Sequence, residues 1–171
     1  MTSIVRANEK DRQLLSQMAK QTLLESHADS PAAAGLDSYV RENYSEDALK
    51  QELRDEKNIF HIIYYNDRPA GYSKIIFNTS SEQRDIKDLA KLERFYLLKE
   101  FYGLKLGLEL FKFNVELSKK NGQSGIWLYT WKGNQRAIQF YKKNGFVITG
   151  SHDFKISETL SNPNHQMFLK F

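Results

Sequence analysis

The chain has 171 residues, of which 40% are apolar and 13% aromatic, so we expect a single domain over residues 1–171 with one hydrophobic core. It contains no cysteine, which excludes disulfides and thiolate catalysis and favours a cytoplasmic location. The net charge of +4 is uneven: residues 25–56 contain nine acidic and three basic residues, and residues 91–143 contain eleven basic and four acidic ones.

The charge pattern has two interpretations that the sequence leaves open. Both segments can be solvated faces, or the basic one attracts an anion and the acidic one a cation. No segment reaches the roughly 18–20 apolar residues that cross a bilayer, so we expect no membrane association. The four histidines lack metal-ligand spacing, so we also expect no metal site.

The first third of the chain is predicted to be mainly helical. A short strand is expected at residues 4–7, and Asp11 precedes a helix whose apolar residues recur with helical period. Ser38 or Ser45 is a suitable N-cap for further helices. Residues 11–56 therefore form an acidic helical region.

The next segments are predicted to be strands. The β-branched and aromatic segments 59–65 and 70–77 flank the turn residues Asn-Asp-Arg-Pro, which predicts an antiparallel hairpin. A polar loop is expected at residues 78–88, and a third strand within residues 89–98.

The second half alternates helices and strands. A helix is predicted from Leu106 to the Asn-Gly pair at 121–122, with an apolar face made of Leu106, Leu110, Phe113 and Leu117. A strand at 125–131, a short helix at 134–144 and strands at 146–152 and 165–171 follow. This order indicates a mixed α/β fold, in which the strands before and after the first of these helices can be parallel neighbours.

A glycine-containing turn, KEFYGLKLG at residues 99–107, joins the third strand to its helix. Unpaired N–H groups at a helix start bind anions, and glycine permits close approach of the backbone. Neither the GxxxxGK[ST] pattern of the P-loop nor the GxGxxG pattern of dinucleotide-binding folds is present. Another anionic ligand is therefore indicated.

Together with Asn-x-x-Ala-x-x-Phe-Tyr-x-x-x-Gly-Phe at 134–146, this turn resembles the acetyl-CoA-binding core of the GNAT N-acetyltransferase superfamily, over roughly residues 59–152. The resemblance implies a mostly antiparallel central sheet with a splayed parallel strand pair, flanked by helices, and a cofactor-binding core at about 89–146. Within the superfamily, the segments LERFYLL, WLYTWKGNQRAIQFYKKNGF and VITGSHDF look most like bacterial polyamine acetyltransferases of the PaiA type.

The resemblance also implies which residues bind acetyl-CoA. The pantetheine arm pairs with the backbone of Phe95, Tyr96 and Leu97, and the pyrophosphate binds the turn formed by Tyr102, Gly103, Leu104, Lys105, Leu106 and Gly107. Asn134 is a further candidate cofactor contact and can at the same time be the N-cap of its helix. Lys143 is a candidate contact to a CoA phosphate, but the sequence favours a solvated surface lysine.

Two residues of the turn depart from the family pattern, which has Gln or Arg and then glycine where Tyr102 and Lys105 stand. Because backbone N–H groups make most of the pyrophosphate contacts, Tyr102 is expected to cost little. Lys105 fits the turn if its φ is negative, and its ammonium then either contacts phosphate or points into water. A positive φ puts the affinity for the cofactor in doubt.

Two residues are candidates for catalysis. An alkyl ammonium must lose a proton before it attacks a thioester, and Glu93 is the candidate base. Tyr141 matches the family tyrosine that supplies a proton or hydrogen bond to the departing thiolate. The structural alternatives are a surface Glu93 paired with Arg94 or Lys91, and a core Tyr141 beside Ile138.

We expect the acceptor to be a small cationic polyamine such as spermidine, attracted by the acidic region. Peptide N-termini, lysine side chains and aminoglycosides remain alternatives, as does a non-catalytic CoA-binding or regulatory protein on the same fold. We expect no nucleic-acid partner, because the lysines of residues 91–143 fall around a helix that must pack on a sheet. A homodimer is possible through the apolar C-terminal strand.

Overall fold

The structure, a computed structural model, describes residues 1–31, 33–81 and 85–171. In this part of the chain a seven-stranded sheet is flanked by five α-helices. The strands are β1 Thr2–Arg6, β2 Ile59–Tyr65, β3 Arg68–Ile76, β4 Leu89–Leu97, β5 Gly125–Trp131, β6 Val147–Lys155 and β7 Ser161–Lys170. The helices are α1 Arg12–Ser26, α2 Leu36–Asn43, α3 Glu46–Arg54, α4 Leu106–Lys120 and α5 Gln135–Lys143.

The sheet has the order β1-β2-β3-β4-β5-β7-β6. Its neighbouring strands are antiparallel except for β4 and β5, which are parallel. The α/β fold expected from the resemblance, with a mostly antiparallel sheet and one parallel pair, is confirmed. Within the described residues, no helix is both long and apolar enough to cross a bilayer.

The parallel pair diverges soon after it begins. β4 and β5 are paired at only three positions, which end at Lys91 and Trp127. Both strands continue, β4 to Leu97 and β5 to Trp131. The edge of β4 that would face β5 is therefore open beyond the point of divergence, which is the splay that the resemblance implies.

A β-bulge lies in β4 where the gap opens. The register with β3 moves from Lys74 opposite Arg94 to Ile75 opposite Leu92, which leaves Glu93 as the extra residue. A bulge re-aims the side chain of the extra residue relative to a regular strand. The predicted base therefore occupies an irregular position rather than a regular strand position.

The predicted hairpin of β2 and β3 is confirmed, with a tighter turn than expected. Asn66 and Asp67 have φ of 48° and 62°, and Tyr65 pairs with Arg68. These two residues form the whole turn, because asparagine and aspartate tolerate the left-handed conformation. Arg68 and Pro69, which we assigned to the turn, belong to β3.

Two other expectations about helices and loops need correction. Ser45 caps α3 by accepting the N–H of Ala48 at 3.1 Å, but Ser38 lies inside α2 and caps nothing. The predicted loop at 78–88 is irregular where it is described, apart from one bridge residue, and its residues 82–84 lie outside the described part.

The buried face of α4 is rotated from the predicted one. Phe113 and Leu117 are only half-buried, whereas the fully buried positions include Asn114 and Ser118. Asn114 Nδ2 donates to Ser73 Oγ at 3.0 Å, and Ser118 Oγ donates to the carbonyl of Asn114 at 2.7 Å. Hydrogen bonds from Asn114 Nδ2 and Ser118 Oγ offset part of the cost of burying these side chains, although Asn114 Oδ1 has no partner among the described residues. Hydrophobicity alone could therefore not identify the face.

The C-terminal strand β7, whose apolar sequence we considered for a homodimer, is an interior strand of the sheet. It lies between β5 and β6, and Met167 and Phe168 are buried within the chain's own core. Its apolar residues serve folding of the single chain.

Candidate active site

A cleft of about 640 Å³ opens where β4 and β5 diverge. Its walls include β4, the end of β5, α5, the end of α1, α2 and β6. The structure brings most of the predicted site residues to this cleft: Glu93, Phe95, Tyr96, Leu97, Tyr102, Gly107, Asn134, Tyr141 and Lys143. The other predicted turn residues, Gly103, Leu104, Lys105 and Leu106, lie just beyond its wall.

The turn before α4 presents a row of free backbone donors. Among the described residues, the N–H groups of 103–108 donate no hydrogen bond within the protein, and the first one paired is that of Glu109, to the Lys105 carbonyl at 3.2 Å. Free N–H groups at the positive end of a helix suit a diphosphate. The turn therefore has the free donors that a bound anion needs.

Lys105 does not have the negative φ that we required for a lysine in this turn. Its φ is +61° and its ψ 16°, in the left-handed region, and Gly103 nearby has φ of +85°. A non-glycine residue in this region costs on the order of 1–2 kcal/mol. A lysine therefore occupies a backbone conformation that glycine adopts at little cost. The Lys105 side chain is exposed.

Tyr102 is paired with a residue that the sequence did not single out. The guanidinium carbon of Arg136, from the first turn of α5, lies 3.5 Å from the centre of the Tyr102 ring. Burial raises the pKa of Tyr102, which keeps its hydroxyl protonated. Arg136 thus places a cation at the turn. Sequence spacing does not reveal a contact between separate elements.

Asn134 and Lys143 lie at opposite ends of α5. Asn134 Oδ1 accepts the N–H of Ala137 at 3.2 Å, so the N-cap role is confirmed. Its side chain also lines the cleft, as does the exposed Lys143. Both residues have a position from which a ligand in the cleft can be reached.

Glu93 is not the surface residue of the structural alternative. Its side chain is 29% exposed, and Lys74 Nζ donates to its Oε1 at 2.6 Å while Lys91 Nζ lies 3.9 Å from its Oε2. Arg94, named above as a possible partner, instead binds Glu52 at 2.8 Å. Burial raises the pKa of Glu93, but the attraction of Lys74, Lys91 and Arg94 outweighs it and holds this pKa below its usual value. Glu93 is therefore ionised at neutral pH.

Lys74 connects two carboxylates and was missed by the sequence analysis. It is 5% exposed, and its Nζ lies 2.8 Å from Glu52 as well as beside Glu93. Arg94 binds the second oxygen of Glu52 and stacks 4.7 Å from the centre of the Tyr44 ring. The four charged residues thus join α3, β3 and β4 behind the cleft. The sequence signal that could have identified Lys74 is its position as a lysine within a strand of mostly apolar residues.

Tyr141 is both a core residue and a residue that lines the cleft. Its ring packs 6.2 Å from Phe95 and 5.3 Å from Phe146, and the residue is 6% exposed. It also lines the cleft, and its hydroxyl makes no hydrogen bond to any described residue. Burial raises the pKa of Tyr141, so the hydroxyl is protonated and available as a donor.

The opposite face of β5 forms an aromatic half of the cleft. Side chains alternate along a strand, so Tyr129 and Trp131 face away from Leu128, which packs in the same cluster as Tyr141. Tyr129 stacks on His152 at 4.4 Å, and Trp131 stacks on His27 at 5.4 Å. We call this part the aromatic half and the part beside α5 the Tyr141 half.

The acidic region, which we expected to attract the cationic amine, contributes no carboxylate from its described residues to the lining of the cleft. Among the described residues that line the cleft, Glu93 is the only acidic one. The region contributes Leu23, Ser26, His27, Tyr39 and Tyr44 instead. Most of its carboxylates are exposed, Glu52 pairs with Lys74 and Arg94, and Glu25 accepts the N–H of Lys99. Also in the described part of the chain, no three acidic or histidine side chains converge as a metal site.

The acetyltransferase (GNAT) family model matches residues 21–146, more than half of the chain, and the chain therefore belongs to this family. It is an acetyl-CoA-dependent N-acetyltransferase. An uncharacterized N-acetyltransferase of Lactobacillus delbrueckii subsp. lactis is 26% identical over 156 residues, which are 91% of this chain and 90% of that protein.

The resemblance to polyamine acetyltransferases is also confirmed. The spermidine N(1)-acetyltransferase of Thermoplasma acidophilum is 26% identical, with 85% of this chain and 89% of that protein aligned. The fold matches the crystal structure of the PaiA N-acetyltransferase of T. acidophilum in complex with coenzyme A, with a TM-score of 0.80, 21% identity and coverage of 100% and 99%.

Proposed function

We propose that this enzyme acetylates a primary amine of a small cationic polyamine such as spermidine, by direct attack on acetyl-CoA within a ternary complex. One observation supports this most: the cleft meets the open edge of β4, with the ionised Glu93 at the bulge and the protonated Tyr141 among its lining residues. The candidate base, the open strand edge and the candidate donor line one cleft, which supports the proposal.

The cofactor side of the proposal uses the turn and the strand edge. The free N–H groups of 103–108 bind the pyrophosphate, with Arg136 and Lys143 as nearby cations. The open edge of β4 at 95–97 pairs with the pantetheine arm as an added strand would. The crystal structure of the PaiA relative contains coenzyme A, which agrees with this assignment.

The reaction then proceeds by proton removal and acyl transfer. Glu93 accepts a proton from the ammonium, directly or through water, and the free nitrogen forms a bond to the thioester carbonyl carbon. Backbone N–H groups near Phe95 and Tyr96 stabilise the oxyanion. As the oxyanion collapses, the C–S bond breaks and the nitrogen gives its second proton to water, which leaves a neutral amide. Tyr141 donates a hydrogen bond to the departing thiolate.

The raised pKa of Tyr141 refines its proposed role. A thiol has a pKa of about 8.5, so full proton transfer from a buried phenol of higher pKa is uphill. Tyr141 therefore acts as a hydrogen-bond donor to sulfur, and water protonates the thiolate after release.

The polyamine assignment is supported by the name of the Thermoplasma relative and by the aromatic half of the cleft. Ring faces attract alkyl ammonium groups, and Tyr129, Trp131, Tyr39 and Phe154 supply rings there. The acidic region of the chain acts at longer range, by raising the local concentration of cations.

An amine panel with a CoA-release assay tests the acceptor. We expect kcat/KM to be at least about tenfold higher for 1,4-diaminobutane than for 4-amino-1-butanol, which lacks the second ammonium, and higher still for spermidine. A peptide N-terminus, a lysine peptide and an aminoglycoside complete the panel.

The outcomes separate the alternatives. Equal rates for the diamine and the amino alcohol would contradict the polyamine assignment, and faster turnover of a peptide or an aminoglycoside would replace it. Binding of acetyl-CoA without turnover of any amine would favour the non-catalytic alternative.

A further inference from the structure

The aromatic half of the cleft contains a histidine with one ring nitrogen already engaged. His27 follows the last residue of α1 and is half-buried. Its Nδ1 lies 3.1 Å from the carbonyl oxygen of Leu23 and 2.8 Å from Ser26 Oγ. The Leu23 carbonyl also accepts the backbone N–H of His27 at 3.1 Å. We assign the position of the ring proton from these contacts.

The Leu23 carbonyl can only accept, so a hydrogen bond to it requires a proton on Nδ1. Ser26 Oγ donates its own proton to the same carbonyl at 3.1 Å and is left as an acceptor toward Nδ1. Burial lowers the pKa of His27, which favours the neutral ring. In a neutral ring with its proton on Nδ1, Nε2 is an acceptor.

Nε2 is the unengaged ring nitrogen of a residue that lines the cleft. His27 lines the cleft, and among the described residues its Nε2 has no hydrogen-bond partner and is not one of the buried unpaired polar atoms. An acceptor atom is therefore available to a ligand that presents N–H groups.

The ring is also held in place. It stacks on Trp131 with an interplanar angle of 26°. The indole is in turn confined by Gly133, where a Cβ atom would lie 2.3 Å from the Trp131 ring. Only glycine permits this approach, so the indole and the imidazole form a preorganised pair.

We propose that His27 binds the amine substrate in the aromatic half of the cleft. Its Nε2 accepts a hydrogen bond from an ammonium group of the cationic amine, whose alkyl chain lies along the Trp131 ring. This inference rests on the proposed function, since it assigns one contact to that substrate class. The pair faces away from the Tyr141 half, so it binds the acceptor rather than the acyl donor.

The test uses two variants of the full chain. His27→Phe keeps the ring that stacks on Trp131 but has no acceptor atom, whereas His27→Gln places an amide oxygen near the position of Nε2. We expect His27→Phe to raise the KM for spermidine roughly tenfold or more, with the Kd for acetyl-CoA within about twofold of wild type. His27→Gln should recover most of the loss.

Three results would overturn the inference. The first is an unchanged KM for spermidine in His27→Phe. The second is a rise in the Kd for acetyl-CoA as large as the rise in the KM for spermidine. The third is a KM in His27→Gln that stays as high as in His27→Phe, although His27→Gln unfolds at the wild-type temperature. If the wild-type enzyme acetylates spermidine and one of these results is found, the proposed function stands and only the role of His27 falls. If the wild type acetylates no amine, both fall.

Discussion

Replacement of Tyr141 by phenylalanine is expected to lower kcat by about 100- to 1000-fold, the usual effect of removing one donor to a developing anion. The hydroxyl makes no hydrogen bond to a described residue, and the ring is packed between Phe95 and Phe146. Phenylalanine therefore keeps the packing and removes only the donor. Steady-state rates at saturating acetyl-CoA and spermidine measure the effect.

The control for this prediction is Tyr65→Phe, which removes a tyrosine hydroxyl on β2 outside the residues that line the cleft. It should leave kcat unchanged. Calorimetry of Tyr141→Phe should give wild-type affinity for acetyl-CoA. A kcat for Tyr141→Phe within about threefold of wild type would show that the tyrosine is only a core residue and would remove the thiolate step from the proposal.

Replacement of Lys74 by methionine is expected to affect both stability and pH dependence. Removing one partner of a buried ion pair costs about 3–5 kcal/mol, and we expect the lower end because Arg94 still neutralises Glu52. Without Lys74, only Lys91 and Arg94 still lower the pKa of Glu93, while burial continues to raise it, so this pKa is higher than in wild type. The acid limb of the kcat/KM profile should therefore move to higher pH.

The pH dependence of stability has a definite sign. The pKa of Glu93 is lower in the folded state than its reference value of 4.5, so its contribution is present above about pH 4.5 and is lost as the pH falls through the folded value. The stability difference between wild type and Lys74→Met should narrow below pH 4.5. Urea unfolding at several pH values measures this.

Lys74→Arg and the exposed Lys112→Met are the matched controls. The first keeps a cation between the two carboxylates and should retain most of the wild-type acid limb. The second removes a surface charge on α4 and should change neither the free energy of unfolding nor the acid limb of the kcat/KM profile. An acid limb that does not move in Lys74→Met would show that Glu93 is not the group that limits the rate at low pH.

Local sequence signals predicted most of the fold because they act within single elements. Segments rich in β-branched and aromatic residues correctly predicted β2, β3 and β5. The capping residue Asn134 and the terminating Gly145 predicted where α5 begins and ends. The errors arose where tertiary contacts override local pattern. Hydrogen-bonded Asn114 and Ser118 occupy the buried face of α4, and neighbouring strands enclose β7.

The site was predicted in part for the same reason. Motif spacing located Tyr141 and the turn, and proximity to the turn located Glu93. Lys74, Arg136 and His27 act through contacts between separate elements, and one sequence contains no record of those contacts. The left-handed φ of Lys105 was likewise invisible, because lysine is a poor indicator of that conformation.

The most direct test of the central claim is a calorimetric titration of the protein with acetyl-CoA, repeated with Ala137→Trp, which fills the Tyr141 half of the cleft from α5. We predict one site per chain with a Kd in the micromolar range, and loss of binding in the variant. Wild-type protein that binds no acetyl-CoA would show that the strained Lys105 turn does not accept the pyrophosphate. Unchanged binding in Ala137→Trp would place the cofactor outside this cleft.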